Sequence, residues 1–337
     1  MKSYPILLSF ILLIALPVRA QHIEGSVQRE SGKPLSGATV FLDGTTLGDM
    51  TDDEGRFMIR VPGPGAYLLI ASHVGYRSIE RIVHVQQSQT VPPLVLAQDI
   101  TSMDEITVLA PHPGRWRRLR TFTADFLGRT SVASKARLLN PDALTFRSVT
   151  GGFTAEASEP LVVENPATGY RIRIFLNVYQ HNQRTGGFRF ARRLFFEPLG
   201  EPTKAQRAVR DRLYRGSMRH FLWAWHHGRT REEGFFVHGD LEEPSYVGGA
   251  AYATRTEALL VNYKARPDGA YRSHVARHGV KPPFSTSTQV SRIAFTRGRI
   301  AVAENGFSLG PIRQEGYWAF RGVGDAVPPP PTDSPTP

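Results

Sequence analysis

The segment from Ile23 to Tyr76 constrains the fold more than any other part of this chain. Short apolar or alternating runs are separated by turns rich in Gly, Pro and Asp, without a helical period. From Arg56 to Val61, apolar residues at every second position alternate with arginine and methionine, as in a strand with one buried face. This pattern is typical of a small antiparallel β-sandwich.

Two turns punctuate this segment. Pro34 presets the backbone of the Gly32–Gly37 turn, and the Thr51–Gly55 stretch supplies the second turn. The acidic residues in and beside the second turn, Asp49, Asp52, Asp53 and Glu54, are also candidate Ca²⁺ ligands. Because Ca²⁺ takes six to eight oxygens and the EF-hand spacing is missing, we favour a hairpin turn over a metal site.

Several motifs of residues 22–97 fall in a recognisable order. They are Gly32-Lys-Pro-Leu-Ser-Gly-Ala-Thr-Val40, Thr51-Asp-Asp-Glu-Gly-Arg-Phe57, Gly65-Ala-Tyr-Leu-Leu69 and Val74-Gly-Tyr76. In this order they resemble the carboxypeptidase-regulatory-like domain. The resemblance implies a transthyretin-like β-sandwich, which is appended to some metallocarboxypeptidases and to the N-termini of many TonB-dependent outer-membrane receptors. It implies a fold and no activity.

The chain begins with the features of a secretory signal peptide, residues 1–20. Lys2 precedes an apolar run from Ile6 to Leu16, and Val18-Arg19-Ala20 offers a cleavage site. No later run approaches the ~20 apolar residues of a transmembrane span. The sequence contains no cysteine, which excludes a lipobox anchor, disulfides and thiolate chemistry. We therefore expect an exported protein of the periplasm or outer-membrane face.

The chain is basic, with a formal net charge of +11 over 337 residues. The arginines are dispersed, which suits a solvated surface or, alternatively, affinity for anionic envelope surfaces. The densest basic patch, Arg115–Arg120, contains one Trp. We favour a charged helix at the domain junction, from about Arg115 to Leu127, over a phosphate-backbone site, and expect no nucleic-acid partner.

Beyond the first sandwich, the chain divides by pattern into three further parts. We predict a linker over residues 99–120, a β-rich α+β domain over 121–325, and a disordered Pro-rich tail over 326–337. In the strand Tyr170–Tyr179, alternation predicts that every second residue up to Val178 shares the buried face. Near 204–227 the period becomes helical. The predicted fold class is mainly β, a transthyretin-like antiparallel β-sandwich followed by this α+β domain.

Motifs of the later chain add a second resemblance. They include Glu159-Pro-Leu-Val-Val-Glu-Asn165, Arg212-Leu-Tyr-Arg-Gly-Ser217 and Gly316-Tyr-Trp318. Together they resemble a group of exported Bacteroidota proteins described as carboxypeptidase-like regulatory domain-containing proteins. That resemblance brings no assigned activity, cofactor or site residues.

Two enzyme motifs were weighed and set aside. A zinc carboxypeptidase needs His-x-x-Glu and a distant His, and none of the 11 histidines is followed by Glu at the third position. The pentapeptide Gly306-Phe-Ser-Leu-Gly310 matches a nucleophile elbow, but that elbow leads into a helix. Here Asn305-Gly306 predicts a hairpin turn and Pro311 follows, so we interpret the match as chance. We expect neither a cofactor nor a metal.

The richest chemical cluster is His220, His226 and His227 with Trp225, on a predicted helix Met218–His226 capped by Ser217. We favour a surface location for these histidines and a buried Trp225, which continues the apolar stripe of the helix. The alternative is a site in which His220, Asp211 and Ser217 act as acid, base or nucleophile.

The sequence therefore supports three functional hypotheses. The leading one is a non-catalytic envelope scaffold that binds a protein or a glycan. The second is a hydrolase of unrecognised type using the 211–227 cluster, and the third is adhesion to anionic surfaces through dispersed arginines. The oligomeric state and the identity of the partner stay open.

Overall fold

In a computed structural model of the chain, the residues described are 21–99, 114–184, 187–239, 243–247, 250–254, 258–278, 287–295, 299–309 and 312–330. The predicted signal peptide, residues 100–113 of the predicted linker and the end of the Pro-rich tail lie outside them. The first eight strands are β1 (Gln21–Arg29), β2 (Thr39–Leu42), β3 (Gly48–Met50), β4 (Arg56–Val61), β5 (Gly65–Ser72), β6 (Ile79–Val85), β7 (Gln89–Thr90) and β8 (Leu94–Leu96).

These strands form the two sheets of a sandwich, which confirms the predicted fold class. One sheet has the order β4-β1-β7 with β8 also paired to β1, and the other has the order β3-β2-β5-β6. Side chains from both sheets, such as Ile23, Ile59, Leu69 and Val85, form one buried core. Every member of that core lies within residues 23–96, whereas Phe41, Leu68 and Ile70 of the same sandwich pack against residues of the later chain.

The acidic residues of the second turn form hydrogen bonds with the backbone. The Asp52 carboxylate accepts from the N–H groups of Glu54 and Arg56 at 3.1 and 2.8 Å, as in an Asx turn. The Asp49 carboxylate accepts a hydrogen bond at 2.8 Å from the N–H of Met58, which lies on β4, an edge strand of its sheet. The turn is thus as predicted, and two carboxylates occupy N–H groups of an edge strand.

A third sheet is covered by the helix α1 (Arg115–Leu127), whose bounds agree with the predicted ones. Its strands are β9 (Arg137–Leu138), β10 (Leu144–Val149), β11 (Gly152–Ala157), β12 (Leu161–Asn165), β13 (Tyr170–Asn182) and β14 (Phe188–Pro198), in the order β10-β11-β13-β12-β9 with β14 also paired to β13. Phe122 and Phe126 of α1 pack on this sheet.

The prediction that Val178 shares the buried face of β13 is wrong. The register shifts between Leu176 and Val178, which leaves Val178 46% exposed and buries Tyr179.

The rest of the chain combines short helices with two small sheets. The elements are α2 (Lys204–Tyr214), α3 (Met218–His226), β15 (Phe235–His238), β16 (Ser245–Val247), β17 (Ala250–Thr254), β18 (Leu259–Tyr263), α4 (Gly269–His278), β19 (Gln289–Phe295), β20 (Arg299–Ala303), β21 (Ile312–Gly316) and α5 (Tyr317–Phe320). The sheets have the orders β15-β18-β19-β21 and β16-β17-β20. Sequence analysis missed the helix α4, because its apolar residues do not recur with a clear helical period. At the start of α4, Asp268 Oδ1 accepts a hydrogen bond from the Ala270 N–H at 2.7 Å.

The sandwich joins the later chain through its β2–β3 turn. Gly44 N–H donates to the Leu194 carbonyl at 2.6 Å, and Phe196 N–H donates to the Thr45 carbonyl at 3.0 Å. These bonds run alongside β14 in a parallel bridge between Thr45 and Phe195. Phe41 of the sandwich also stacks on Phe175 with ring centroids 4.7 Å apart. The two parts of the molecule are thus joined by both main-chain and apolar contacts.

Charged groups complete this joint. Asp43, only 4% exposed, accepts from the Leu194 N–H at 2.7 Å and lies 3.5 Å from Arg193. Arg193 also pairs with Glu80 at 2.6 Å. Burial raises the pKa of Asp43 to about 6, although Arg193 and the Leu194 N–H act in the opposite direction. The turn therefore brings a carboxylate into a place where ionisation is costly.

Among the described residues, none of the helices has the length and apolar character needed to cross a membrane.

Candidate functional site

Ser217 is the N-cap of α3. Its Oγ accepts a hydrogen bond from the His220 backbone N–H at 3.1 Å, which satisfies one of the free donors at the start of the helix. The side chain that sequence analysis offered as a nucleophile therefore stabilises the helix end. Its partner is the backbone of His220 and not the imidazole.

The His220 ring is buried, with 3% of the residue exposed, and both of its nitrogens have partners within the fold. The Gly216 N–H donates to Nδ1 at 3.0 Å, and Nε2 lies 3.1 Å from a carboxylate oxygen of Glu233. Since Nδ1 accepts a hydrogen bond, the proton of the neutral ring is on Nε2, which donates to Glu233. A general base needs a nitrogen free to face its substrate, and this ring has none.

Burial lowers the pKa of His220, while its hydrogen bond to Glu233 acts in the opposite direction. The geometry agrees with that direction, because protonation at Nδ1 would place an N–H against the Gly216 N–H. The favoured surface location is therefore wrong for His220, and also for His226, which is 8% exposed. His227 is exposed at the end of the helix. Trp225, 4% exposed, is buried as predicted.

Asp211 is not the carboxylate partner of His220. It is exposed on α2 and pairs with Arg215 one turn later, at 3.0 Å. The carboxylate beside His220 belongs instead to Glu233, in the loop before β15. Of the three candidate residues, His220 and Ser217 are thus brought together as a helix start, and Asp211 forms a separate surface ion pair.

A cavity of about 210 Å³ lies beside His220. It is lined by Arg215, His220, Arg229, Glu232, Glu233, Tyr263 and Lys264. Arg229 pairs with both carboxylates, at 3.0 Å to Glu232 and 3.2 Å to Glu233, so the acidic and basic groups largely neutralise one another. The cavity is small and polar, and most of its charged side chains form ion pairs with one another.

Metal and nucleophile-elbow chemistry gain no support from the geometry. In the described ranges there is no group of three or more His, Cys, Asp or Glu residues that could hold a metal ion. Ser308 of the elbow-like pentapeptide forms an isolated bridge with Val302, after the Gly306 turn at φ 74°. The next described element is the strand β21, so the helix that an elbow requires does not follow within the described residues.

Sequence analysis missed a second histidine–carboxylate pair. The Asp125 carboxylate on α1 is 2.9 Å from His181 Nδ1 and accepts from the Tyr179 hydroxyl at 3.0 Å. Arg129 adds an ion pair at 3.1 Å. Because Asp125 and His181 lie 56 residues apart and a register shift precedes His181 in β13, no local motif could have revealed the pair.

The comparisons with known proteins concern mainly the first part of the chain. Residues 23–108 match the sequence model of the CarboxypepD_reg-like domain. TonB-dependent receptor P39 of Formosa agariphila is 31% identical over 109 residues, which cover 30% of this chain and 10% of the receptor. TonB-dependent receptor SusC of Bacteroides thetaiotaomicron is 29% identical over 100 residues, which cover 29% of this chain and 9% of the receptor.

Among solved structures, a DUF3823 family protein from Bacteroides ovatus is 8% identical with a TM-score of 0.20, over 54% of this chain and 82% of that chain. A type II cohesin-X-dockerin complex from Acetivibrio cellulolyticus is 17% identical with a TM-score of 0.22, over 33% of this chain and 76% of that chain. Scores this low carry no argument about the whole fold. The chain spans about a tenth of the length of the receptors it matches. Residues 23–108 therefore carry a CarboxypepD_reg-like domain, the family that the motifs of this segment predicted.

Proposed function

We propose that this chain is a non-catalytic binding or scaffold protein of the cell envelope that recognises a protein or a glycan. The observation that carries the proposal is that the His220 ring uses both nitrogens inside the fold. Ser217 is likewise engaged as a helix cap. The cluster that offered the richest catalytic chemistry thus has a structural role, and a binding function needs none of that chemistry.

Two further observations support this proposal. The sandwich is held to β14 by main-chain hydrogen bonds and by the contact of the buried Asp43 with the half-buried Arg193, which fixes its position against the later chain. The similarity of the N-terminal region to TonB-dependent receptors supports a location in the envelope. Export through residues 1–20 belongs to the same proposal. The N-terminus of the protein purified from a native-like host should then be Gln21.

The alternative hydrolase based on the 211–227 cluster has less support. It would need Ser217 Oγ to face an imidazole nitrogen that carries a free lone pair. Ser217 instead accepts from a backbone N–H, and the Nδ1 lone pair of His220 is taken by Gly216. A hydrolase would have to rearrange the start of α3 before it could act.

The proposal is tested by affinity capture from the organism's own envelope, with wild-type protein and Ser217→Asp as matched baits. Aspartate keeps an oxygen that caps α3 but removes the hydroxyl nucleophile. We expect both proteins to retain the same partner, intact and in the same amount. Cleavage of the retained material by the wild type and not by Ser217→Asp would overturn the proposal in favour of the hydrolase.

A further inference from the structure

The first half of α1 exposes an aromatic and basic face. Trp116 is 73% exposed, and Arg117 and Arg120 are exposed beside it. At 100° per residue these three side chains lie within about 100° of the helix circumference, so they form one continuous face. We call these three residues the α1 face.

The opposite side of the same helix is held against the protein. Arg115 donates to the Leu144 carbonyl at 2.6 Å, and Arg118 donates to the Ser148 hydroxyl at 2.7 Å. In the second half of the helix, Phe122 and Phe126 are buried against the protein. The helix is thus fixed in orientation, and the α1 face points away from its support.

The charges of the α1 face are not neutralised within the described part of the molecule. No described residue forms an ion pair with Arg117 or Arg120, whereas Arg115 pairs with Asp142 at 3.4 Å. The first turn of α1 contains no acid, and the only acid of the helix, Asp125, is 3% exposed. Cations near a helix N-terminus are opposed by the helix dipole, so this arrangement has an energetic cost that an anionic partner would offset.

We propose that the α1 face docks on a membrane surface containing anionic lipid headgroups. The inference rests on the envelope location in the proposed function and names a partner for one surface. Tryptophan favours the interface between headgroups and acyl chains, and arginines beside it attract anionic lipids. With 73% of its surface exposed, Trp116 protrudes from the helix. A protruding ring can enter a headgroup layer, whereas a polysaccharide chain is better held in a cleft.

The test uses the exported form, residues 21–337, with its N-terminus verified so that residues 1–20 contribute nothing. Co-sedimentation is measured with vesicles of phosphatidylglycerol and phosphatidylethanolamine, and with vesicles of phosphatidylcholine alone. We expect binding only to the anionic vesicles, weakened by salt. Since each arginine near such a surface contributes about a fivefold effect, the double variant Arg117→Gln/Arg120→Gln should bind about 25-fold more weakly.

The matched control is the double variant Arg29→Gln/Arg60→Gln, which removes the same charge from exposed positions on the sandwich. It should bind nearly as well as the wild type. Fluorescence gives a second readout, because of the four tryptophans Trp225 and Trp318 are each 4% exposed, Trp223 is half-buried and Trp116 is 73% exposed. Emission should shift to shorter wavelength on anionic vesicles, and Trp116→Phe should abolish that shift.

Three results would overturn the inference. Equal loss of binding in the two double variants would show diffuse attraction without a specific face. Absence of binding to anionic vesicles would exclude a lipid partner. Binding to polygalacturonate with a Trp116-dependent shift, but not to vesicles, would assign the face to an acidic glycan. The first two results leave the capture experiment untouched, and the third would support glycan recognition while it overturns the lipid partner, so the two proposals can be tested separately.

Discussion

The sandwich and the α3 helix bury their side chains by different rules. In β4, Phe57, Ile59 and Val61 are buried and the residues between them are exposed, as alternation requires. In α3, six of nine residues are buried, and His220 and His226 are among them. The difference shows that a local apolar pattern predicts which apolar residues are inside. It does not predict which polar residues are inside, because those depend on partners that come from elsewhere in the chain.

The comparison is tested most strongly by removing an apolar side chain of α3. Trp225 is part of a core with Phe221 and Phe235. Trp225→Ala should lower the free energy of unfolding by about 3–5 kcal/mol through lost burial and the resulting cavity. Trp116→Ala, at an exposed site, should change it by less than about 0.5 kcal/mol. Denaturant midpoints measure both, and similar effects at the two positions would contradict the packing described.

His220→Ala should have the next largest effect. It leaves the Gly216 N–H without its acceptor and removes a partner of Glu233, at a cost of about 2–4 kcal/mol. A surface histidine would cost less than about 0.5 kcal/mol, so this substitution separates the two interpretations. His227→Ala is the matched control at an exposed position of the same helix end.

The same variant has a predicted pH dependence. Because burial lowers the pKa of His220 below its usual 6.5, the unfolded chain binds a proton there before the folded chain does. The wild type should therefore lose stability as the pH falls below about 6.5, and His220→Ala should lack that part of the slope. Parallel slopes for the two proteins would mean that His220 titrates normally in the fold.

The contact between the sandwich and β14 gives a pH dependence of opposite sign. The pKa of Asp43 is raised from 3.8 to about 6, so between these values the folded chain binds the extra proton. Stability from this group should fall as the pH rises from about 4 to 6, by roughly 3 kcal/mol. Asp43→Asn keeps an oxygen for the Leu194 N–H and should remove the dependence. The control is Asp142→Asn, at a fully exposed side chain, which should keep the pH dependence of the wild type. Equal slopes of stability against pH in the two variants would contradict the burial of Asp43.

The smallest effect is expected at the helix cap. Ser217→Ala should cost about 1 kcal/mol, since the His220 N–H loses its acceptor, and Ser217→Asp should stay within about 0.5 kcal/mol of the wild type. Thermal or denaturant unfolding measures the difference. An equal loss in both variants would show that the hydroxyl has a role other than capping.

Much of the fold could be predicted because its strands and helices have strong local signals. The bounds of β4, α1 and α3 agree with the sequence patterns, as do the turns around Pro34 and Asp52. The errors have physical causes. The register shift after Leu176 exposes Val178 and buries Tyr179, the reverse of what strict alternation predicts for β13. Only the pairing with β14 reveals this shift.

The candidate site was less accessible to sequence analysis. The prediction that Ser217 caps α3 is confirmed, but the partner of its hydroxyl is the His220 backbone N–H and not the imidazole. Glu233 was not predicted as the partner of His220, because it lies 13 residues later, in the loop before β15. Polar burial of this kind arises from tertiary contacts, so it could only be found once the helix and β15 were placed together.

The central claim, that the His220 ring belongs to the fold and is not free for catalysis, has one direct measurement. Nitrogen-15 NMR of the imidazole, assigned with His220→Ala, reports the protonation of each ring nitrogen. We predict a neutral ring with its proton on Nε2 and an unprotonated, hydrogen-bonded Nδ1, unchanged from pH 8 down to about 6.5. A proton on Nδ1, or a ring that becomes charged near its usual pKa of 6.5, would contradict the account.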